Sequence, residues 1–402
     1  MPRWYTVSAF ALRGRILRVL QVNKFYAPWI GGIETAVQEL AEGLQRLPNV
    51  HCEVLVCHER SHRKTSLVNG VPVTRVGSVG RLLSMPIAPT FPSELKTIAA
   101  GFDIVHVHTP FPLVMFCDWD EIKARGARLV IHHHSDIVRP IQRALLQYVD
   151  GFERRFLDSA DRIVVTSQGL LKNSRTLASY RSKCQVVPLS IDLTKVQRLS
   201  EAEVALARQR FGISERERVV LFAGRLVYYK GLQYLIDAVR GLDLKLLIAG
   251  EGPLRPMLER RIEVGNLGSK IRVLGRVSDA ELANLYSIAD LFVLPSTEPS
   301  EAFGLVQLDA MAYGLPVINT DLPSGVPTVS VHGETGLTVR PADSVALREA
   351  IAMILSDDSL RTRFSLNGRQ RVLSFSRPAV LEQMCSLYDE LISPPVLSRF
   401  SA

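Results

Sequence analysis

A short glycine-bounded loop at residues 224–231 carries two cations that suit a diphosphate. The loop reads GRLVYYKG and places Arg225 and Lys230 five residues apart, between an apolar run and a helical pattern. A guanidinium offers a fixed fork of N–H donors and an ammonium a compact charge, so the pair matches phosphate oxygens. We expect this loop to be lined by solvent. On spacing alone, a solvated basic loop without a ligand is an equal alternative.

Two carboxylates flank a second candidate anion site. The segment 300–305 (SEAFGL) precedes a helical pattern at 306–313, which ends before Gly314. The start of a helix presents free backbone N–H groups to phosphate or sugar oxygens. Glu301 lies in the loop, and Asp309 is expected about two turns into the helix. Taken alone the two carboxylates are a weak signal, because loop and helix carboxylates are usually solvated.

Gly31 and Gly32 follow the first predicted strand and open the first predicted helix. A double glycine permits close approach of a ligand to the backbone, or simply a tight turn. The pair is not part of a G-x-G-x-x-G fingerprint, and no such fingerprint follows any predicted strand. The pattern therefore disfavours a nicotinamide or flavin enzyme.

Histidines gather at the ends of two predicted strands. His106 and His108 end one strand, and the run 132–134 (HHH) ends another. Three consecutive side chains of a strand cannot all face one way. No carboxylates with ligand spacing accompany the histidines, so we predict polar contacts to a substrate rather than a metal site.

Short apolar runs alternate with longer amphipathic stretches, a pattern typical of βαβ units with buried parallel strands. The predicted strands are 16–22, 53–57, 103–108, 128–132, 161–166, 185–188, 218–223, 244–249, 271–274, 291–294 and 317–319. The clearest helices are 34–47, 201–210, 232–239 and 306–313. This pattern predicts an α/β protein with two doubly wound domains and a cleft between them, in which ligands bind beyond the carboxyl ends of the strands.

A chain of 402 residues agrees with two domains. We place the first domain at 1–190 and the second at 191–375. Residues 376–402 are predicted to form a C-terminal helix that packs back on the first domain, followed by a tail. The first fifteen residues are interpreted as an extension rather than a targeting signal.

The composition excludes several classes of protein. With 47% hydrophobic and 22% charged residues the chain is neither disordered nor collagenous, and its five cysteines lack C-x-x-C spacing. The cysteines are typical of reduced thiols in a cytosolic protein. The net charge of +8 favours an anionic partner such as a nucleotide or a phospholipid surface. No basic stripe alternates with aromatic residues, so nucleic acid is not an expected partner.

Together these segments resemble glycosyltransferase family 4, whose members are retaining, nucleotide-sugar-dependent enzymes of the GT-B fold. The resemblance extends from about residue 16 to residue 391. The matching segments are 31–34, 103–108, 134–136, 224–231, 250–253, 274–277 and 301–312, the last being the E-x7-E signature, and 333–337 follows it at the usual interval.

The resemblance implies roles for the residues of the second half. Arg225 and Lys230 would hold the donor diphosphate and stabilise its charge as the sugar bond breaks, so no cofactor and no metal ion is expected. Glu301 would bind hydroxyls of the donor sugar. Backbone amides of Phe303, Gly304 and Leu305 at the helix start would lie near the donor sugar. Arg276 and Val277 would contact the nucleobase, mostly through their backbone.

Three further roles follow from the resemblance. Gly31 and Gly32 would let the first-domain loop approach the phosphate and acceptor. His134 matches the family's active-site histidine near the reacting carbon, with Asp136 beside it. Asp309 stands where the family has glutamate, the residue that binds the ribose hydroxyls.

The resemblance implies a retaining glycosyltransferase that moves a hexose from a nucleotide diphosphate sugar to a saccharide or lipid-linked acceptor. The segments 300–307 and 134–138 are most similar to mannosyl- or rhamnosyltransferases of O-antigen, lipopolysaccharide and exopolysaccharide synthesis. We expect a cytoplasmic protein that contacts the anionic inner membrane peripherally. A non-hydrolysing nucleotide-sugar epimerase and a non-catalytic nucleotide-sugar-binding protein on the same scaffold remain alternatives.

Overall fold

The computed structural model describes residues 15–29, 31–82, 85–136 and 150–393. The predicted N-terminal extension therefore lies outside the described residues up to residue 14, and so does the predicted tail from residue 394. The chain forms two compact units. The first comprises residues 1–166, 174–190 and 377–402, and the second comprises 167–173 and 191–376. Residues 167–173 thus belong to the second unit, although they fall within the range predicted for the first domain.

Sixteen strands are present in the described part of the chain. They are β1 (Leu17–Val22), β2 (Val50–Cys57), β3 (Lys64–Val68), β4 (Val71–Val76), β5 (Gly80–Leu82), β6 (Met85–Ile87), β7 (Ile104–Thr109), β8 (Arg128–His133), β9 (Arg162–Val165), β10 (Cys184–Val186), β11 (Val219–Ala223), β12 (Lys245–Ala249), β13 (Ile271–Gly275), β14 (Leu291–Val293), β15 (Val317–Thr320) and β16 (Gly336–Val339).

Fourteen α-helices accompany these strands within the same described residues. They are α1 (Gly32–Gln45), α2 (Phe91–Ala99), α3 (Trp119–Ala124), α4 (Asp150–Ser159), α5 (Gln168–Asn173), α6 (Glu201–Arg210), α7 (Leu232–Ala238), α8 (Arg255–Val264), α9 (Asp279–Ile288), α10 (Val306–Tyr313), α11 (Val326–Val329), α12 (Ser344–Ser356), α13 (Asp358–Val372) and α14 (Arg377–Ile392). In the part of the chain that the structure describes, no helix combines the length and apolar character needed to cross a membrane.

The first unit contains an eight-stranded sheet with the order β10-β9-β8-β7-β1-β2-β4-β3. All neighbours are parallel except the edge pair β3–β4, and β5 and β6 form a separate hairpin. From β1 the chain winds outward first through β2 and β4, and later in the opposite direction through β7 to β10. The reversal between β1 and β7 is the switch point at which doubly wound sheets bind ligands.

The core of the first unit brings α14 against α1 and the sheet. Leu40 and Leu44 of α1 are buried in one cluster with Leu381 and Met384 of α14. Beside this apolar contact the Arg377 guanidinium donates to the Glu39 carboxylate, with an Nε–Oε2 distance of 2.9 Å. Both side chains are buried, so each charge needs the other.

The second unit contains a six-stranded, fully parallel sheet with the order β13-β12-β11-β14-β15-β16. Its switch point lies between β11 and β14, so the loops after these two strands are neighbours. The predicted α/β class with two doubly wound domains is confirmed. Each predicted strand is present within three residues of its expected ends, whereas β3 to β6 and β16 were not predicted.

Candidate active site

A buried ion pair occupies the switch point of the second sheet. Lys230 follows β11 and Glu301 follows β14, and the Lys230 Nζ–Glu301 Oε2 distance is 2.5 Å. The Ser296 hydroxyl donates to the same carboxylate oxygen at 3.1 Å. All three residues are buried. The structure thus brings together two of the predicted site residues from separate loops.

A glycine turn places Lys230 in this position. Gly231 has φ 66°, and a Cβ atom there would lie 2.0 Å from the Pro295 carbonyl oxygen. The loop after β14 approaches so closely because the Thr297 N–H donates to the Tyr229 carbonyl at 2.7 Å. A side chain at position 231 would force the two loops apart. The turn is therefore a requirement of the ion pair.

The expectation of a solvent-lined loop is wrong for Lys230 and right for Arg225. Lys230 is only 7% exposed, because its side chain lies under the loop after β14, where Glu301 offsets the cost of desolvation. Arg225 is exposed, and its guanidinium donates to the Tyr229 hydroxyl at 3.3 Å. One cation is fixed and the other is accessible.

Asp309 lies in the first turn of α10, not two turns into it. The helix begins at Val306, so the residues from Glu301 to Leu305 are loop and add no helical turn. Phe303, Gly304 and Leu305 therefore lie directly before the helix start, where the resemblance requires them. The half-buried Asp309 approaches Tyr286. Burial, and secondly the Asp309 carboxylate, raise the pKa of Tyr286 well above its ordinary value.

Arg276 and Val277 follow β13 at the same carboxyl edge of the sheet, two strands away from β11. Arg276 is exposed and Val277 is half-buried. The preceding residue, Gly275, accepts a hydrogen bond from the Gly250 N–H at 2.8 Å, which joins the loops after β12 and β13. The two residues border this edge but lie farther from the ion pair than the α10 loop does.

In the first unit, Gly31 and Gly32 lie at the start of α1, next to the switch point between β1 and β7. Neither has a left-handed φ, and Gly31 is extended at φ −168°. A Cβ atom at Gly31 would come within 2.2 Å of the Glu34 carboxylate, whereas one at Gly32 would meet no atom of the described residues within 4 Å. The helix start therefore borders open space at Gly32, and no tight turn demands the pair.

Four histidines form a stacked column on one face of the first sheet. Neighbouring ring centroids are 4.2–5.3 Å apart and the ring planes differ by 11–28°. The members of this histidine column are His106, His108, His132 and His134. His133 takes part in other contacts, with Thr109 and Asp136, so the expectation that residues 132–134 cannot all face one way is confirmed.

Burial favours the uncharged form of the histidine column. Burial lowers the pKa of His106 to about 3 and, with repulsion between neighbouring imidazoles, lowers the pKa values of the other three well below the ordinary value. Ring nitrogens of His106, His108 and His132 lie within 4.8 Å of one another. However, the lone pairs of nearly parallel stacked rings lie in separate planes, so they do not converge on one ion. The present arrangement of the rings therefore disfavours a shared metal ion.

Asp136 does not face His134. Its carboxylate accepts hydrogen bonds from His133 Nε2 at 2.9 Å, the Ser174 hydroxyl at 2.6 Å and the Arg175 N–H at 3.1 Å. Burial opposes ionisation, but these hydrogen bonds outweigh it and lower the pKa of Asp136. β8 ends at His133, so strand alternation does not fix the direction of Asp136, and the chain after the strand turns its carboxylate back to His133.

Comparison with known proteins settles the family. The profile described as Glycosyltransferase Family 4 matches residues 30–195, and that described as Glycosyl transferases group 1 matches residues 204–371. D-rhamnosyltransferase WbpZ of Pseudomonas aeruginosa is 31% identical over 358 residues, which are 88% of this chain and 91% of that protein. The chain belongs to glycosyltransferase family 4.

Two further comparisons concern sequence and fold. The O-antigen chain mannosyltransferase C of Escherichia coli is 30% identical over 94% of this chain and 99% of its own length. The crystal structure of HepE of Anabaena in complex with UDP-glucose has a TM-score of 0.74 at 18% identity, covering 93% of this chain and 100% of that one. The fold is GT-B, and the protein is a glycosyltransferase. The epimerase and the non-catalytic alternatives are not favoured.

Sequence reasoning missed several polar partners. Ser296 and Tyr229 hold the ion pair and its loop, and Gln21 and Tyr388 contact the histidine column. For Gln21 a signal existed, because an amide inside the apolar run ILRVLQV is unusual for a buried strand. Tyr388 is distant in sequence, and nothing in its own helix indicated this contact.

Proposed function

We propose that this family 4 protein is a retaining glycosyltransferase that moves a hexose from a nucleotide diphosphate sugar to a saccharide or lipid-linked acceptor. Its place would be the synthesis of cell-surface polysaccharide, such as O-antigen or exopolysaccharide. The names of the two bacterial relatives support this setting. The UDP-glucose bound to HepE supports a nucleotide-sugar donor.

The observation that carries the proposal is the buried Lys230–Glu301 pair at the switch point of the second sheet. A nucleotide diphosphate leaving group gains negative charge as the bond to the sugar breaks. A preorganised ammonium in a site of low dielectric stabilises that charge in the transition state more than in the ground state. Glu301 holds the ammonium in place and offers a carboxylate to sugar hydroxyls.

Arg225 complements the fixed lysine. Its exposed guanidinium reaches the site only through a long side chain, and the contact with the Tyr229 hydroxyl shows one resting position. A bidentate guanidinium–phosphate contact would orient the diphosphate and add charge. With two cations and the α10 start near it, the leaving group needs no divalent ion. We therefore propose a metal-independent transfer.

The first unit is proposed to bind the acceptor and to contact the donor sugar near the reacting carbon. Gly32 borders open space at the start of α1, and His134 follows β8 at the carboxyl edge of the first sheet. Both lie where doubly wound sheets bind ligands. The net charge of +8 supports a peripheral contact with the anionic surface that displays a lipid-linked acceptor.

A screen of donors followed by a transfer assay tests the proposal. UDP-, GDP- and ADP-sugars are compared by thermal shift, since a ligand at a hundred times its Kd stabilises a protein by about 2.7 kcal/mol. The donor that binds is then incubated with candidate acceptors, and the anomeric configuration of the product is determined by NMR. A product with inverted configuration contradicts the retaining mechanism. Free epimer formed without acceptor, or binding without turnover, would favour the alternatives.

A further inference from the structure

A chain of hydrogen bonds connects α14 to His134 through the middle of the first sheet. Tyr388 Oη lies 2.5 Å from His106 Nδ1 and 3.3 Å from Gln21 Nε2. Gln21 Oε1 lies 2.7 Å from His108 Nε2, and His108 Nδ1 lies 2.9 Å from His134 Nε2. All five residues are buried. We call the part from Tyr388 through Gln21 and His108 to His134 the relay.

The register of the strands brings these groups together. Gln21 of β1 is the pairing partner of His106 on β7, and His108 pairs with His132 on β8. Partners in adjacent strands share a face of the sheet, and so do residues two positions apart in one strand. The relay therefore follows from strand pairing, and it requires α14 only for the tyrosine.

The relay determines which ring nitrogen of His108 and which ring nitrogen of His134 carries the proton. Gln21 Oε1 is an acceptor only, so His108 Nε2 must be protonated and must donate to it. A neutral His108 then has a lone pair at Nδ1, which accepts from His134 Nε2–H. His134 Nδ1 is left with a lone pair. Among the described residues this buried atom has no hydrogen-bond partner.

Gln21 is itself fixed from the other side. Its amide group donates to the Tyr388 oxygen, and the tyrosine hydroxyl donates onward to His106 Nδ1. In this series of hydrogen bonds each donor faces one acceptor. The opposite orientation of the Gln21 amide would reverse every donor, and would leave His134 with a proton at Nδ1 instead of a lone pair.

We infer that Gln21 is a positioning residue that holds His134 in the Nε2–H tautomer, so that His134 Nδ1 accepts a hydrogen bond from a hydroxyl of the bound sugar or acceptor. The inference rests on the proposed function for its ligand, though not for the tautomer. A lone pair that is buried and unpaired is costly, whereas one that meets a hydroxyl on binding contributes to affinity or to the transition state.

The tautomer is measured directly, without activity. In the full chain labelled with ¹⁵N-histidine, long-range ¹H–¹⁵N correlations separate protonated from unprotonated ring nitrogens, and His134→Gln assigns the signals of His134. We expect Nε2 to be protonated and Nδ1 to be unprotonated. The reverse pattern would overturn the assignment and indicate the opposite amide orientation of Gln21.

Two variants test whether the relay controls His134. Gln21→Met keeps the length of the side chain and removes both hydrogen bonds, and Tyr388→Phe releases the Gln21 amide while keeping the ring. Each should produce a second His134 tautomer and lower turnover at saturating donor, by about tenfold for Gln21→Met, equivalent to ~1.4 kcal/mol. Tyr26→Phe is the matched control, since Tyr26 lies in the same core and its hydroxyl has no partner among the described residues.

The outcomes separate this inference from the proposed function. An unchanged tautomer in both variants would show that the relay does not control His134. A changed tautomer with unchanged turnover would show that the tautomer has no role in transfer. Normal turnover in His134→Ala would remove His134 from the proposed function, and the NMR result would still decide whether the relay exists.

Discussion

The two doubly wound sheets of this glycosyltransferase place different kinds of polar side chains beside their switch points. The second unit buries a full ion pair, Lys230 with Glu301, between the loops after β11 and β14. The first unit buries a column of imidazoles that burial keeps neutral. Both units use the same doubly wound topology. Their sites nevertheless differ in the charge of the buried side chains and in how their stability depends on pH.

The difference suggests which ligand groups each unit of this architecture suits. A fixed cation suits a ligand whose charge grows during the reaction, as a departing diphosphate does. Neutral imidazoles suit hydroxyl groups, which need orientation rather than charge. The comparison therefore predicts that the first unit is sensitive to acid and the second to loss of single charged groups.

The largest effect we expect is acid destabilisation of the first unit. The column histidines are neutral when folded, and their pKa values rise to about 6.5 when the unit unfolds, so the unfolded state binds more protons below that pH. Stability is complete above pH 6.5 and is lost as the pH falls toward the folded values. Between pH 7.5 and 5.5 the loss is about 1.4 kcal/mol per histidine, or about 5 kcal/mol for all four.

Tryptophan fluorescence during urea unfolding measures this effect in the first unit, because Trp29 and Trp119 belong to it and the sequence of the second unit contains no tryptophan. His132→Phe should remove about a quarter of the pH dependence, since neither of its ring nitrogens has a partner among the described residues. Val130→Ala in the same strand is the control, which lowers stability without changing the pH dependence. A flat pH profile in the parent would contradict the neutral column.

Loss of a cation from the second unit should reduce turnover by about 10²–10³-fold, both for Lys230→Ala and for Arg225→Ala. Only Lys230→Ala should also lower stability, by about 3–5 kcal/mol, because it leaves the Glu301 carboxylate buried without its counter-ion. Arg225 is exposed and serves as the matched control for stability. Initial rates and thermal unfolding by circular dichroism are measured for both. Near-normal turnover at saturating donor in either variant means that the diphosphate assignment is wrong.

Glu301→Gln should lower turnover by about 10–100-fold and donor affinity by less. The glutamine amide would still bind sugar hydroxyls. It would no longer provide the negative charge that keeps the Lys230 ammonium in position for the developing phosphate charge. Donor titration by calorimetry is compared with initial rates. If affinity and turnover fall equally, Glu301 acts on ground-state binding and the transition-state role is refuted.

Asp309→Asn should weaken donor binding by about 1.5–3 kcal/mol, the range for a hydrogen bond to a charged group. Asp309→Glu restores the length that is usual in the family and should preserve or strengthen binding. The same calorimetric titration serves both variants. Should Asp309→Asn bind donor as tightly as the parent, the Asp309 carboxylate does not contact the ribose.

The smallest effect is expected from removal of divalent ions. Turnover in EDTA should equal turnover without it, because the proposed mechanism assigns stabilisation of the leaving group to the two cations and the α10 start. The matched measurement adds manganese to the same reaction. Complete loss of activity in EDTA that manganese restores would exclude the metal-independent mechanism.

The sequence predicts the sheets better than the contacts within the sites. Buried parallel strands such as β11 are continuous apolar runs and are visible, whereas the edge strands β3 and β16 are short, polar or glycine-containing. The glycine-bounded loop predicts Lys230 as a site residue. Its burial, however, depends on how closely the loop after β14 approaches, which the local sequence does not indicate. The Gln21–Tyr388 contact joins residues 367 positions apart, and no local pattern reports such a contact.

The return of α14 to the first unit has a consequence for synthesis on the ribosome. Nearly all of the second unit is one continuous stretch, 191–376, which is synthesised before residues 377–393. The first unit, although its synthesis begins earlier, lacks Arg377 for Glu39 and Tyr388 for Gln21 until residues 377–393 have been added. Chains usually fold in order from the N-terminus. Here part of the core of the first-made unit and its relay stay incomplete during that time, so the first unit is the later of the two to have all the residues it needs.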